Sequence, residues 1–149
     1  MKAHGGRETW VWGAVAVLIT AWLLWMTLRP NETVAADLAP LTESGAARTI
    51  SVYVLIDLVG NVIVFVPLGA AAVLALGGMP AARRLALATL IGSGLSLGIE
   101  ITQAALPARA AQSIDWMLNT AGTAIGALAG RAIQNNLWRK NRHDRPDNP

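Results

Sequence analysis

Twice in this chain a carboxylate and an amide stand four residues apart inside oily sequence: Asp57 and Asn61 in DLVGN, Asp115 and Asn119 in DWMLN. A third such couple, Glu100 and Gln103 in GIEITQ, is separated by three. On a helix, residues three or four apart share a face, so each couple would present an acid and an amide in one direction. A carboxylate so placed can accept a proton as a general base or ligate a hard cation. An amide both donates and accepts hydrogen bonds, so the set also suits a sugar- or peptide-binding pocket.

The elements that must hold these groups are set by composition. Of 149 residues, 54% are hydrophobic and 14% charged, against the roughly 25% charged that soluble domains carry. Four apolar runs appear, at about 10–28, 52–76, 85–106 and 114–133. A helix needs about 20 residues to cross ~30 Å of hydrocarbon, so each run is long enough. The runs lack the period-2 alternation of a transmembrane barrel. The expected fold is all-α, one integral membrane bundle of four transmembrane helices. Residues 1–9 then form a short N-terminal segment, 10–133 the helical domain and 134–149 a basic tail. A cleaved leader is the alternative for the first run, because Lys2 and Arg7 precede it and Val34–Ala36 follows. Its length and the intervening Arg29 favour a retained span.

Charge gives the orientation. With the N-terminus inside, the cytoplasmic segments hold Lys2, Arg7, Arg83, Arg84, Arg131, Arg139, Lys140, Arg142 and Arg145. The outer segments hold Arg29, Arg48 and Arg109, and this imbalance favours both termini in the cytoplasm. The pI near 10.2 then reflects membrane topology and anionic lipid rather than nucleic acid. In this orientation Asp57, Asn61, Glu100, Gln103, Asp115 and Asn119 all fall within roughly 10 Å of the outer interface, at 1.5 Å per helical residue. A carboxylate at the bilayer centre costs roughly 3 kcal/mol or more, which argues that these groups face inward. Arg109, in LPARAAQS, is the cation closest to them on the third and fourth runs. It is expected to pair with one acid or grip an anionic ligand.

Close packing is also written in the sequence. Gly122, Gly126 and Gly130 form a small-residue stripe on the fourth run, and Gly94/Gly98 with Gly92/Ser96 do so on the third. Pro67 removes a backbone donor from the second run and is expected to kink its inner half.

The pattern D-x3-N-x3-F-x-PLG, then E-x2-Q, then R-x5-D-x3-NTAG-x3-G resembles the VanZ-like membrane proteins, over about residues 57–130. Position by position, the resemblance marks Asp57, Asn61, Phe65, Pro67, Gly69, Glu100, Gln103, Arg109, Asp115, Asn119 and Gly122. It implies a small multi-span protein of the bacterial plasma membrane, in a family whose founding member is associated with teicoplanin resistance. One departure matters. Where relatives often carry further acids between the Arg and the last Asp, this chain has AAQSI, with Gln112 and Ile114, which weakens a metal site.

Four readings of the polar set stay open: interhelical hydrogen bonding, ligand binding, enzymology on a membrane lipid, and proton-coupled transport through Glu100 or Asp57. Catalysis lacks a histidine, because His4 and His143 lie in the termini, and Ser51, Ser96 and Ser113 have no nucleophile motif. The chain has no cysteine. What enzymology retains is Glu100 as a base, or Asp57, Glu100 and Asp115 around a hard divalent cation bridging a phosphate of a lipid-linked substrate. No other cofactor is expected. The reading adopted is an envelope protein whose outward acid/amide pocket takes membrane lipid, a lipid-linked wall precursor or a glycopeptide.

Overall fold

The computed structural model describes the backbone of residues 4–28, 50–105 and 113–143, and the side chains of 8–28, 58–105 and 114–136. Four helices carry the described chain: α1 His4–Leu28, α2 Ile50–Ala75, α3 Ala81–Ala104 and α4 Ser113–His143. No strand occurs among the described residues. Among the described residues, three stretches are long and apolar enough to cross a membrane: Glu8–Leu28, Leu58–Ala75 and Ala81–Ala104. The fourth run expected at 114–133 is helical, but it is not apolar enough to join them, because Asp115, Asn119, Thr120, Thr123 and Arg131 interrupt it.

Glycine sets the layout. A Cβ on Gly122 would collide with the Val62 carbonyl, on Gly126 with that of Val66, and on Gly130 with Ala70; one on Gly69 would strike the Thr123 carbonyl. Partner numbers rise together along both helices, so α2 and α4 run parallel with their backbones in near contact. On α3, Gly92 lies against the Thr123 side chain and Ser96 bonds to Asn119, so numbers run oppositely and α3 is antiparallel to α4. Leu23 of α1 packs with Phe65, Leu68 and Ile99 in one apolar cluster, while Ala72, Val73, Ala88 and Ala127 form another. The α2–α3 turn needs Gly78, whose φ of 88° a side chain would strain.

Two expectations about small residues part here. Gly92 and Ser96 are buried, as expected of a packing face. Gly94 and Gly98 are not at a helix interface: they are exposed, and a Cβ at either would meet nothing within 4 Å. The buried face of α3 is Ala88, Gly92, Ser96, Ile99, Glu100 and Gln103, and a helix turns the 94/98 pair away from it. Pro67 lies within α2 on an exposed face, and the helix continues past it to Ala75.

Candidate functional site

At one end of the bundle, polar side chains tie the helices to one another. Asn61 Nδ2 donates to Asp115 Oδ1 at 2.9 Å, joining α2 to α4. Asn119 Nδ2 donates to Ser96 Oγ at 2.9 Å, joining α4 to α3. Gln103 Nε2 donates to the Thr27 backbone oxygen at 2.8 Å, joining α3 to α1. Thr123 Oγ1 closes the buried floor by donating to the Asn119 carbonyl at 2.9 Å, and Trp116 Nε1 donates to Ser93 Oγ at 3.0 Å on the outer surface.

Why these residues meet follows from the register. Gly92 opposes Thr123 and Ser96 opposes Asn119, so one further turn sets Glu100 at the level of Asp115. Glu100 and Gln103 are each 8% exposed and Asn119 is 4% exposed, whereas Asn61 and Asp115 are half-buried. The Asn119 oxygen is fully enclosed and accepts no hydrogen bond from the described residues. A buried acceptor left unpaired costs about 1–3 kcal/mol. Two carboxyl groups and this amide oxygen therefore make a layer rich in acceptors. Such a layer suits a partner that brings N–H or O–H groups.

Five of the seven expected ligand-binding residues have described side chains toward this end of the bundle: Asn61 meets Asp115, Asn119 meets Ser96 about a turn deeper, and Glu100 and Gln103 lie on the buried face of α3. Asp57 lies in α2 and Arg109 between α3 and α4, and the side chains of both fall outside the described residues. Among the described residues, no group of three or more His, Cys, Asp or Glu gathers as a cation site. The expected cation site at Asp57, Glu100 and Asp115 draws on Asp57, whose side chain lies outside the described residues. Reading from sequence overlooked Ser93, Ser96, Thr123 and the Thr27 carbonyl as partners. For Ser96 a signal existed: it stands four residues after Gly92 and four before Glu100, so it shares their face.

Residues 10–134, most of the chain, match VanZ/LLP1. The chain belongs to the VanZ/LLP1 family. No curated protein and no solved structure matches it. The positions that carry the VanZ-like motifs do two jobs in this structure. Phe65 is fully buried beneath the polar layer, and Gly69 and Gly122 are where α2 and α4 touch backbone to backbone. Asn61, Asp115 and Asn119 are the polar groups that this close approach brings within bonding distance.

Proposed function

We propose that this VanZ/LLP1 protein sits in the bacterial plasma membrane as a four-span bundle with both termini cytoplasmic. Its acid/amide layer, near the outer face, binds the polar head of an envelope ligand. The ligand class is a membrane lipid head group, a lipid-linked wall precursor or a glycopeptide, and the role is glycopeptide resistance of the teicoplanin type. One observation carries the binding reading: interhelical hydrogen bonds already tie the helices, yet the layer still holds an enclosed acceptor on Asn119 that no described residue satisfies. A layer kept for packing alone would gain by pairing or removing that group. Support for a fourth span is that α4, 31 residues and about 46 Å long, lies against both α2 and α3, which are apolar enough to cross.

Thermal unfolding of the detergent-purified protein tests the binding reading. Lipid-linked wall precursor or teicoplanin should raise the parent's Tm. Glu100→Gln, which keeps shape and hydrogen-bonding capacity, should fold but lose that rise. An equal rise in parent and variant, or none in the parent with any of these ligands, would sink the proposal. The linkage of all four helices by Asn61–Asp115, Asn119–Ser96 and Gln103–Thr27 favours a second, structural reading. That reading expects Glu100→Gln to lower Tm with no ligand present. Topology is tested separately on this cysteine-free chain. A cysteine at position 37 should label in intact cells, and one at 143 only after permeabilisation.

A further inference from the structure

Away from the acid/amide layer, at the Pro80 end of the bundle, the charge reverses. Pro80 takes the N-cap position of α3 with no side-chain cap, so the first amides of the helix point outward without helical partners. Arg83 is exposed, while Arg84 and Arg131 are half-buried. Arg84 Nη1 donates to Gln134 Oε1 of α4 at 3.0 Å, and Arg84 Nε is enclosed with no partner. Arg131 precedes Gln134 by three residues and so lies on the same side of α4. Among the described residues, none of these three arginines has a carboxylate partner.

Charges that only orient a chain in the membrane can remain exposed to solvent, as Arg83 is. Arg84 is different. A neutral glutamine pins it, part of its guanidinium is removed from water, and no described carboxylate pairs with it. A half-buried guanidinium is costly until an anion meets it. Of its five N–H groups, Gln134 occupies one and Nε is enclosed, which leaves three on the terminal nitrogens to donate to an anion.

We propose that Arg84 and Arg131, oriented by Gln134 and assisted by the uncapped start of α3, bind the phosphate of an anionic phospholipid head group. The planar guanidinium matches a phosphate with two parallel hydrogen bonds, and a helix N-terminus adds amides and a favourable dipole. Free phosphate offers the same chemistry. The lipid is favoured because the site lies where two stretches apolar enough to cross a membrane end, next to Met79, which is exposed and apolar. This proposal does not rest on the acid/amide layer binding anything.

The test uses the full chain in a neutral detergent. Thermal unfolding and native mass spectrometry are followed with short-chain phosphatidylglycerol, with phosphatidylcholine of equal chain length, and with inorganic phosphate. Phosphatidylglycerol should bind and stabilise more than phosphatidylcholine. Arg84→Gln and Arg131→Gln should each weaken its apparent affinity roughly tenfold, the size expected of a lost charge-assisted hydrogen bond. Gln134→Ala should also weaken it although net charge is unchanged, and Arg84→Lys should fall between parent and Arg84→Gln. If Arg84→Gln does not fold, Arg131→Gln and Gln134→Ala carry the test. Equal phosphatidylglycerol binding by the parent, Arg131→Gln and Gln134→Ala would overturn the site. Equal stabilisation by inorganic phosphate and by phosphatidylglycerol would overturn the lipid as its occupant.

Discussion

Along α1, Trp10, Val11, Val17, Leu18, Trp22 and Trp25 face outward, and Leu23 alone is buried among the described residues. Along α4 the arrangement is inverted: Asn119, Gly122, Thr123, Gly126, Ala127 and Gly130 are buried, and Ile114, Met117, Ile125, Leu128 and Ile133 are exposed. α1 is apolar enough to span yet has the least of itself inside the protein, while α4, which falls short of that apolarity, buries as many described residues as α2 or α3 does. Average hydropathy alone therefore does not tell how well a helix is held: α2 is the most apolar of the candidate spans and also well buried, whereas the nearly as apolar α1 is not. Inside such a bundle the apolar driving force is weak, since lipid is as oily as leucine, and small residues that admit a second backbone replace it.

That contrast can be broken most severely at Gly126. Leucine there would run into the Val66 carbonyl, so α2 and α4 would have to part, and Gly126→Leu should yield no folded protein on size-exclusion in detergent. Even Gly126→Ala should cost about 1–3 kcal/mol or more, since a backbone carbonyl cannot rotate aside as a side chain can. Recovery of either variant at parental Tm would remove the close-packing account of α4. On α1 the corresponding attack is Leu23→Ala, which opens a hole among Phe65, Leu68 and Ile99. We expect about 2 kcal/mol, the low end for such truncations, because one buried residue anchors the helix there. The measurement is a reversible unfolding titration in mixed micelles. A loss exceeding that of Gly126→Ala would invert the ranking of the two helices.

Smaller effects sharpen the comparison. Asn119→Ala deletes the bond to Ser96 but also an unsatisfied acceptor, so the two terms oppose each other. Interhelical hydrogen bonds in membranes average about 0.6 kcal/mol, and the net change in the ligand-free protein should stay under about 1 kcal/mol. A loss several times larger would make the layer a structural clasp. Smallest of all, Gly94→Ala on the outward face of α3 should be neutral or stabilising by up to about 1 kcal/mol, because alanine favours the helix and its Cβ meets nothing. A marked loss there would reveal a partner on that face.

Much of the site was legible because helical spacing leaves few ways to hide a polar couple. Asn61, Glu100, Asp115 and Asn119 share faces by counting alone, and the burial cost of a charge turns those faces toward one another. The α2–α4 seam was half legible: Gly122, Gly126 and Gly130 announced a close approach without saying which helix approaches. The 94/98 pair misled because the same spacing recurs on a face that packs against none of the described residues, and only the neighbours decide which glycine is used. Ser96 and Gln134 were missed for a different reason. Each is an ordinary polar residue whose importance comes from a partner more than twenty positions away, Asn119 in one case and Arg84 in the other.

The parallel seam between α2 and α4 has a consequence in time. Val62 meets Gly122 and Val66 meets Gly126, contacts sixty residues apart that span the whole of α3. A ribosome adding roughly 5–20 residues per second makes α4 several seconds after α2. Through that interval Asn61 already exists, while Asp115, the acceptor of its hydrogen bond, has not yet been made. The nascent protein thus passes through a three-helix stage whose polar flank lacks its native cover, and during synthesis that flank is open to water at the interface or to an insertion chaperone until α4 arrives.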